Sequence, residues 1–206
     1  IVHETMAEGL NRYAQKQAAI RTAELQAQAR RKLRQGWRDA VGRVWEQYPK
    51  RTNLFELYYG NGRSLPEWKT DKIKERVYGC LQAFTESQTL AEITATPYMN
   101  WKPVDKLDSM QLDGLKLWCA LDFGYTDPAG YLRIIDWKTG SEKKDALETQ
   151  LACYCLYAHE KWGIPVESTK LYGVFLGENA RVSEYRASPE ILIKAKEEAQ
   201  QMLDGV

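Results

Sequence analysis

Two hydrophobic periodicities divide the chain. Residues 3–47 are rich in Ala, Gln, Arg and Glu and reach no proline until Pro49, which predicts helix, with Gly36 and Gly42 as places where it breaks or bends. Residues 48–66 are turn-rich, with Tyr58-Tyr59-Gly60-Asn61-Gly62 leading to Pro66. A helical pattern returns over 67–86, with Ile73, Val77, Cys80, Leu81 and Phe84 on one side. The character then changes to β-type runs at Leu115–Asp122 and Tyr131–Trp137. Gly124, Asp127-Pro128 and Gly130 lie between them, so a β-hairpin is expected.

Residues 143–161 read as a helix stopped by Gly163 and Pro165. Two further strands are expected at 169–176 and 180–186, around a turn at Gly177-Glu178-Asn179. Ser188-Pro189-Glu190 opens a last helix, with Ser as N-cap, Pro at the first position and Glu in the first turn. The order predicts an α/β or α+β fold, a sheet flanked by helices. No repeat or low-complexity linker interrupts it, so one domain over residues 1–206 is expected.

Composition narrows the class. With 206 residues, 44% hydrophobic and 28% charged, the chain is of globular type. No apolar run approaches the roughly 20 residues of a membrane helix, and Ile1-Val2-His3-Glu4 shows no signal peptide. The start without Met suggests a fragment lacking flanking residues at one or both ends. Cys80, Cys119, Cys153 and Cys155 form no C-x-x-C pair, and they read as small buried hydrophobes in a reducing, cytoplasmic setting. The net charge of +1 conceals a division. Residues 1–51 carry 11 Lys/Arg against 5 Asp/Glu, while the remainder carries 18 against 23. A basic segment beside an acidic site suits a phosphate-backbone enzyme, though a solvated basic helix looks the same.

Candidate chemistry centres on Asp122 and Asp136-Trp137-Lys138. Converging carboxylates would suit Mg²⁺ or Mn²⁺, and Lys138, two along a strand from Asp136, would share its face. A simple hairpin resists this convergence, because the C-terminal ends of two antiparallel strands lie at opposite edges; a wide turn or a bend is needed. Acid-x-Lys is also unspecific, since Glu67-Trp68-Lys69 and Glu142-Lys143-Lys144 repeat it. Only Asp136-Trp137-Lys138 ends an apolar β run, where a charged pair either caps a strand or builds a site. Gln150 and Tyr154, at i and i+4, share a helix face. Either they join such a site, or Tyr154 is core and Gln150 a surface amide. Trp37, Trp45, Trp101 and Tyr98 offer rings for stacking on unpaired bases or for packing. His159 reads as an ordinary surface residue.

Asp122…Ile134-Ile135-Asp136-Trp137-Lys138-Thr139-Gly140…Gln150-Leu151-Ala152-Cys153-Tyr154 resembles the signature of the PD-(D/E)XK nuclease superfamily. More narrowly it is similar to the RecB-like branch, which includes the CRISPR-associated Cas-type exonucleases. That branch carries an Asp, a strand ending D-x-K-T-G and a helix with Q-x-x-x-Y. It also has a helix start G-x-x-x-H-E, whose surviving part His3-Glu4 matches, and the helix from Ser188 to Gly205 is similar to the family's last one.

The resemblance implies a restriction-endonuclease-like core, a mixed central sheet flanked by helices. It implies His3, Asp122, Asp136 and the Trp137 carbonyl as ligands of Mg²⁺ or Mn²⁺. Lys138 would position or activate the attacking water, and Gln150 and Tyr154 would contact the nucleic-acid backbone and support the site. The expected activity is a DNA exonuclease of recombination, repair or CRISPR-type processing, with DNA and a helicase or recombination protein as partners. A catalytically inactive binding module and an RNA-directed nuclease are the alternatives. The pattern departs in having Leu121 and Phe123 around Asp122, where many members have Gly and Arg. Asp127 is a nearby acid, but it precedes a proline in a turn. Some members hold an iron–sulfur cluster through cysteines in places these four do not occupy, so none is supported within residues 1–206.

Overall fold

The computed structural model describes residues 1–59, 65–103, 106–112 and 114–204. The turn expected at Gly60-Asn61-Gly62 and the terminal Gly205 lie outside them. The chain divides into two compact units, 1–85 and 86–206.

The first unit is helical: α1 (Val2–Lys16), α2 (Thr22–Val41), α3 (Val44–Gln47), α4 (Phe55–Tyr59) and α5 (Glu67–Glu86, its last residue beyond the unit). Met6, Leu10, Leu25, Ala29, Cys80, Leu81 and Phe84 are its buried apolar side chains. Lys32 ties α2 to α1 through Glu4 at 2.5 Å and Glu8 at 2.8 Å. Between α2 and α5, Thr22 and Thr85 hydroxyls meet at 2.6 Å, and Arg30 Nε donates to the Tyr78 hydroxyl.

The helical stretch breaks at Gly42, which caps α2 as expected, but Gly36 lies inside α2, and a further break falls at Gln17, which is left-handed at φ 51. Short helices are held chiefly by the apolar face they bury, so packing places this break where propensity gives no sign of it. A helix, α4, also occupies part of the segment read as turns. Ile73, expected on the buried side of α5, is 44% exposed.

The second unit opens with α6 (Gln88–Ala95), capped by Ser87 Oγ accepting from the Leu90 amide. Strands β1 (Asp108–Leu112) and β2 (Leu115–Cys119) form a two-stranded antiparallel sheet. A four-stranded sheet follows in the order β3 (Phe123–Thr126), β4 (Leu132–Lys138), β5 (Thr169–Phe175), β6 (Arg181–Tyr185). The β4–β5 pair is parallel and the other two pairs are antiparallel, so the sheet is mixed. The parallel pair is joined by α7 (Lys144–Trp162), which ends at Gly163 in the left-handed region. Helix α8 (Pro189–Asp204) closes the unit. The core holds Leu132, Ile134, Leu171 and Phe175 of the sheet, Leu147, Leu151, Cys155 and Leu156 of α7, and Ile191 and Ala195 of α8. This mixed sheet with helices is consistent with the restriction-endonuclease-like fold expected from the sequence.

The hairpin differs from its expectation. The run Leu115–Asp122 is not one strand: it ends at Cys119, pairs with β1, and passes through Ala120-Leu121-Asp122 into β3. Gly124, read as turn, is inside β3 opposite Ile134. The reversal is confined to Asp127–Gly130, with Gly130 at φ 87. Asp127 Oδ1 accepts from the Ala129 and Tyr131 amides, and Oδ2 accepts from Arg133 Nε at 2.8 Å.

Candidate active site

The split of that run removes the geometric obstacle. Asp122 precedes β3 and does not end the strand before it. Phe123 pairs with Ile135, so the register carried one step further sets Asp122 across from Asp136. Antiparallel neighbours lie about 4.5–5.5 Å apart at Cα. The Asp122 carboxylate is fixed there, its Oδ2 accepting from the Trp137 amide at 2.9 Å.

Asp136 belongs with Leu132, Ile134 and Lys138 on the sheet face that packs on α7, because side chains alternate along a strand. It is fully buried. Its parallel partner on β5 is Gly173. A Cβ on Gly173 would lie 2.6 Å from Leu147 Cδ2, so only glycine lets α7 come this close beside Asp136. Trp137 points the other way and is buried.

Lys138 Nζ lies 2.6 Å from Asp136 Oδ2 and donates to Gln150 Oε1 at 2.7 Å. Gln150 Nε2 in turn donates to the Tyr154 hydroxyl at 2.7 Å. Gln150 is half-buried and Tyr154 is buried. The i, i+4 spacing on α7 makes this row, and the β4–α7 connection aims it at Lys138. Burial pushes the Tyr154 phenol up first, followed by the charges of Asp136 and Asp122, so the hydroxyl stays protonated. Cys119, at the end of β2, also acts on it and is itself pushed up to about 12, chiefly by burial.

Asp122, Asp136, Lys138, Gln150 and Tyr154 are thus brought together. His3 is half-buried on α1 of the first unit. Among the described residues, no three His, Cys, Asp or Glu side chains group as metal ligands. Asp127 is engaged in its turn. Glu142 of the second spare acid-x-Lys copy pairs with Arg181 and Tyr185, and Glu67-Trp68-Lys69 opens α5. Gly173 escaped the sequence reading, although a glycine inside the run Leu171–Phe175 is the usual mark of close approach.

The profile of the PD-(D/E)XK nuclease superfamily matches residues 1–205. The chain belongs to this superfamily. No curated protein matches the chain significantly. Membership makes this PD-(D/E)XK protein a nuclease-type hydrolase with nucleic acid as the substrate class. Nucleases of the superfamily generally use divalent metals such as Mg²⁺. The donor set fits one: Mg²⁺ prefers hard oxygens and is commonly held by one or two carboxylates, with waters and substrate phosphates completing its shell. Asp122 and Asp136 would supply those oxygens. A bound divalent ion activates water and polarises the phosphoryl group. Among the described residues, no helix is long and apolar enough to cross a membrane.

Proposed function

We propose that this nuclease is a deoxyribonuclease of the RecB-like branch, degrading DNA from an end in recombination, repair or CRISPR-type processing. Both units would act as one nuclease domain. The observation that carries the reading is the meeting of Asp122, Asp136 and Lys138 at one end of β4. Asp122 and Asp136 would hold Mg²⁺ or Mn²⁺, and the family resemblance would add His3 and the Trp137 carbonyl as further ligands. Lys138 orients the attacking water and steadies the charge that builds on the phosphate oxygens. Gln150 holds the Lys138 ammonium in place and contacts the nucleic-acid backbone, while the buried Tyr154 supports Gln150 from behind. A helicase or recombination protein would deliver the DNA end.

The test is digestion of end-labelled linear and circular DNA, single- and double-stranded, with Mg²⁺ or Mn²⁺, beside Lys138→Ala and RNA of the same sequence. Metal-dependent loss of linear DNA, absent in the variant, is expected. Cleavage of circles would remove the end requirement, and preference for RNA would overturn the substrate. Metal binding without cleavage of any substrate would overturn the catalytic reading.

A further inference from the structure

The first unit holds a cleft of about 540 Å³ bordered by α2 and α5. That size is within the range of about 300 to 1,000 Å³ usual for ligand clefts. Its apolar lining includes Leu33 and Trp37 of α2, Leu54, and Ile73 of α5. Arg34, Arg38 and Lys74 also line it. Positions 33 and 37, and 34 and 38, are each i and i+4, so α2 presents an apolar row beside a cationic one. No acidic side chain among the described residues lines the cleft. Lys74 is engaged by Asp71 at 2.8 Å. Arg34 and Arg38 are exposed and form no ion pair among the described residues.

The motif chemistry uses none of these residues. An indole beside aliphatic side chains offers a face to a flat apolar group, and two free guanidiniums next to it call for anions. The alternation of base and phosphate in an unpaired strand supplies both. A duplex does not, because its base faces are already stacked. We propose that this cleft binds single-stranded DNA, with a base stacked on Trp37 and the flanking phosphates on Arg34 and Arg38. The proposal rests on the nucleic-acid reading of the function and specifies an unpaired strand as the form of DNA held.

The experiment is fluorescence anisotropy of labelled oligo-dT and of a blunt duplex, titrated with the whole chain in EDTA over a series of salt concentrations. Arg34→Gln/Arg38→Gln should weaken oligo-dT binding about tenfold and reduce the salt slope by about 1.4. Trp37→Leu should cost about tenfold, with Trp37→Phe within about threefold of the parent. Far-UV circular dichroism and melting confirm that each variant folds. Folded variants that bind oligo-dT like the parent would overturn the proposal, as would equal losses on the duplex. Metal-dependent cleavage together with unchanged binding would overturn the cleft alone. Binding lost in the variants, from a chain that cleaves nothing, would sustain the cleft and remove the nuclease.

Discussion

Replacing Gln150 by Leu leaves the shape of α7 intact and removes the link between Lys138 and Tyr154. Lys138 keeps Asp136 at 2.6 Å but loses its 2.7 Å acceptor. A hydrogen bond to a charged group contributes about 1.5–3 kcal/mol. If the bond serves to hold the ammonium where charge develops, that energy appears in the barrier, as a fall of about 10- to 150-fold in kcat. Tyr154→Phe acts one bond further back, since the phenol accepts from Gln150 Nε2. It leaves a half-buried amide donor unsatisfied, costing about 1 kcal/mol, or about fivefold. The double variant should then be no slower than Gln150→Leu alone, because the tyrosine acts through the glutamine. Initial rates of metal-dependent cleavage at saturating DNA, with melting temperatures to exclude unfolding, provide the cycle. Additive losses would refute this reasoning and assign Tyr154 a separate contact with the nucleic acid.

Three further outcomes follow from the same geometry. Gly173→Val drives a branched side chain into Leu147, whose Cδ2 lies 2.6 Å from where the new Cβ would stand, and should cost about 1–3 kcal/mol in urea unfolding, partly restored by Leu147→Ala. Asp127→Ala should cost about 2–4 kcal/mol at neutral pH, since its carboxylate takes two amides and Arg133. Those bonds hold the Asp127 carboxyl below its ordinary value against the opposing effect of burial. Its stabilisation is therefore complete above about pH 4 and lost as pH falls through the lowered value, so the gap between variant and parent should close in acid unfolding. Burial pushes the Cys155 thiol up to about 11 and Cys119 to about 12, so both should be alkylated at least about a hundredfold slower at pH 8 than in the urea-unfolded chain, read by mass spectrometry.

What the sequence disclosed depended on local punctuation. Helix α7 was legible because Gly163 and Pro165 stop it, and α8 because Ser188-Pro189 starts it. Strand and helix periods paired Asp136 with Lys138 and Gln150 with Tyr154, but each pair alone also read as strand cap, core or surface; the family resemblance is what joined them into one site. The division of Leu115–Cys119 from β3 was not, since Ala120-Leu121-Asp122 contains no breaker; the choice of β1 as partner decides it. The end of α1 at Gln17 is similarly silent. The role given to His3 depends on relations far along the chain, which no local period encodes.

The turn at Asp127–Gly130 acts as a ruler for chemistry it never touches. Its two amide bonds to Asp127 and the left-handed Gly130 set how many residues separate β3 from β4. Together with the buried side chains of Phe123 and Tyr125, that number decides which residue comes to lie across from Asp136. Removing or adding one residue there would slide β3 by a position, and a slide of one sends each of its side chains to the other face. The protein could then remain folded, with every motif residue still written in its gene, and yet have lost the alignment of its two carboxylates. An alignment of letters would call such a variant intact; only a measurement of spacing would find the fault.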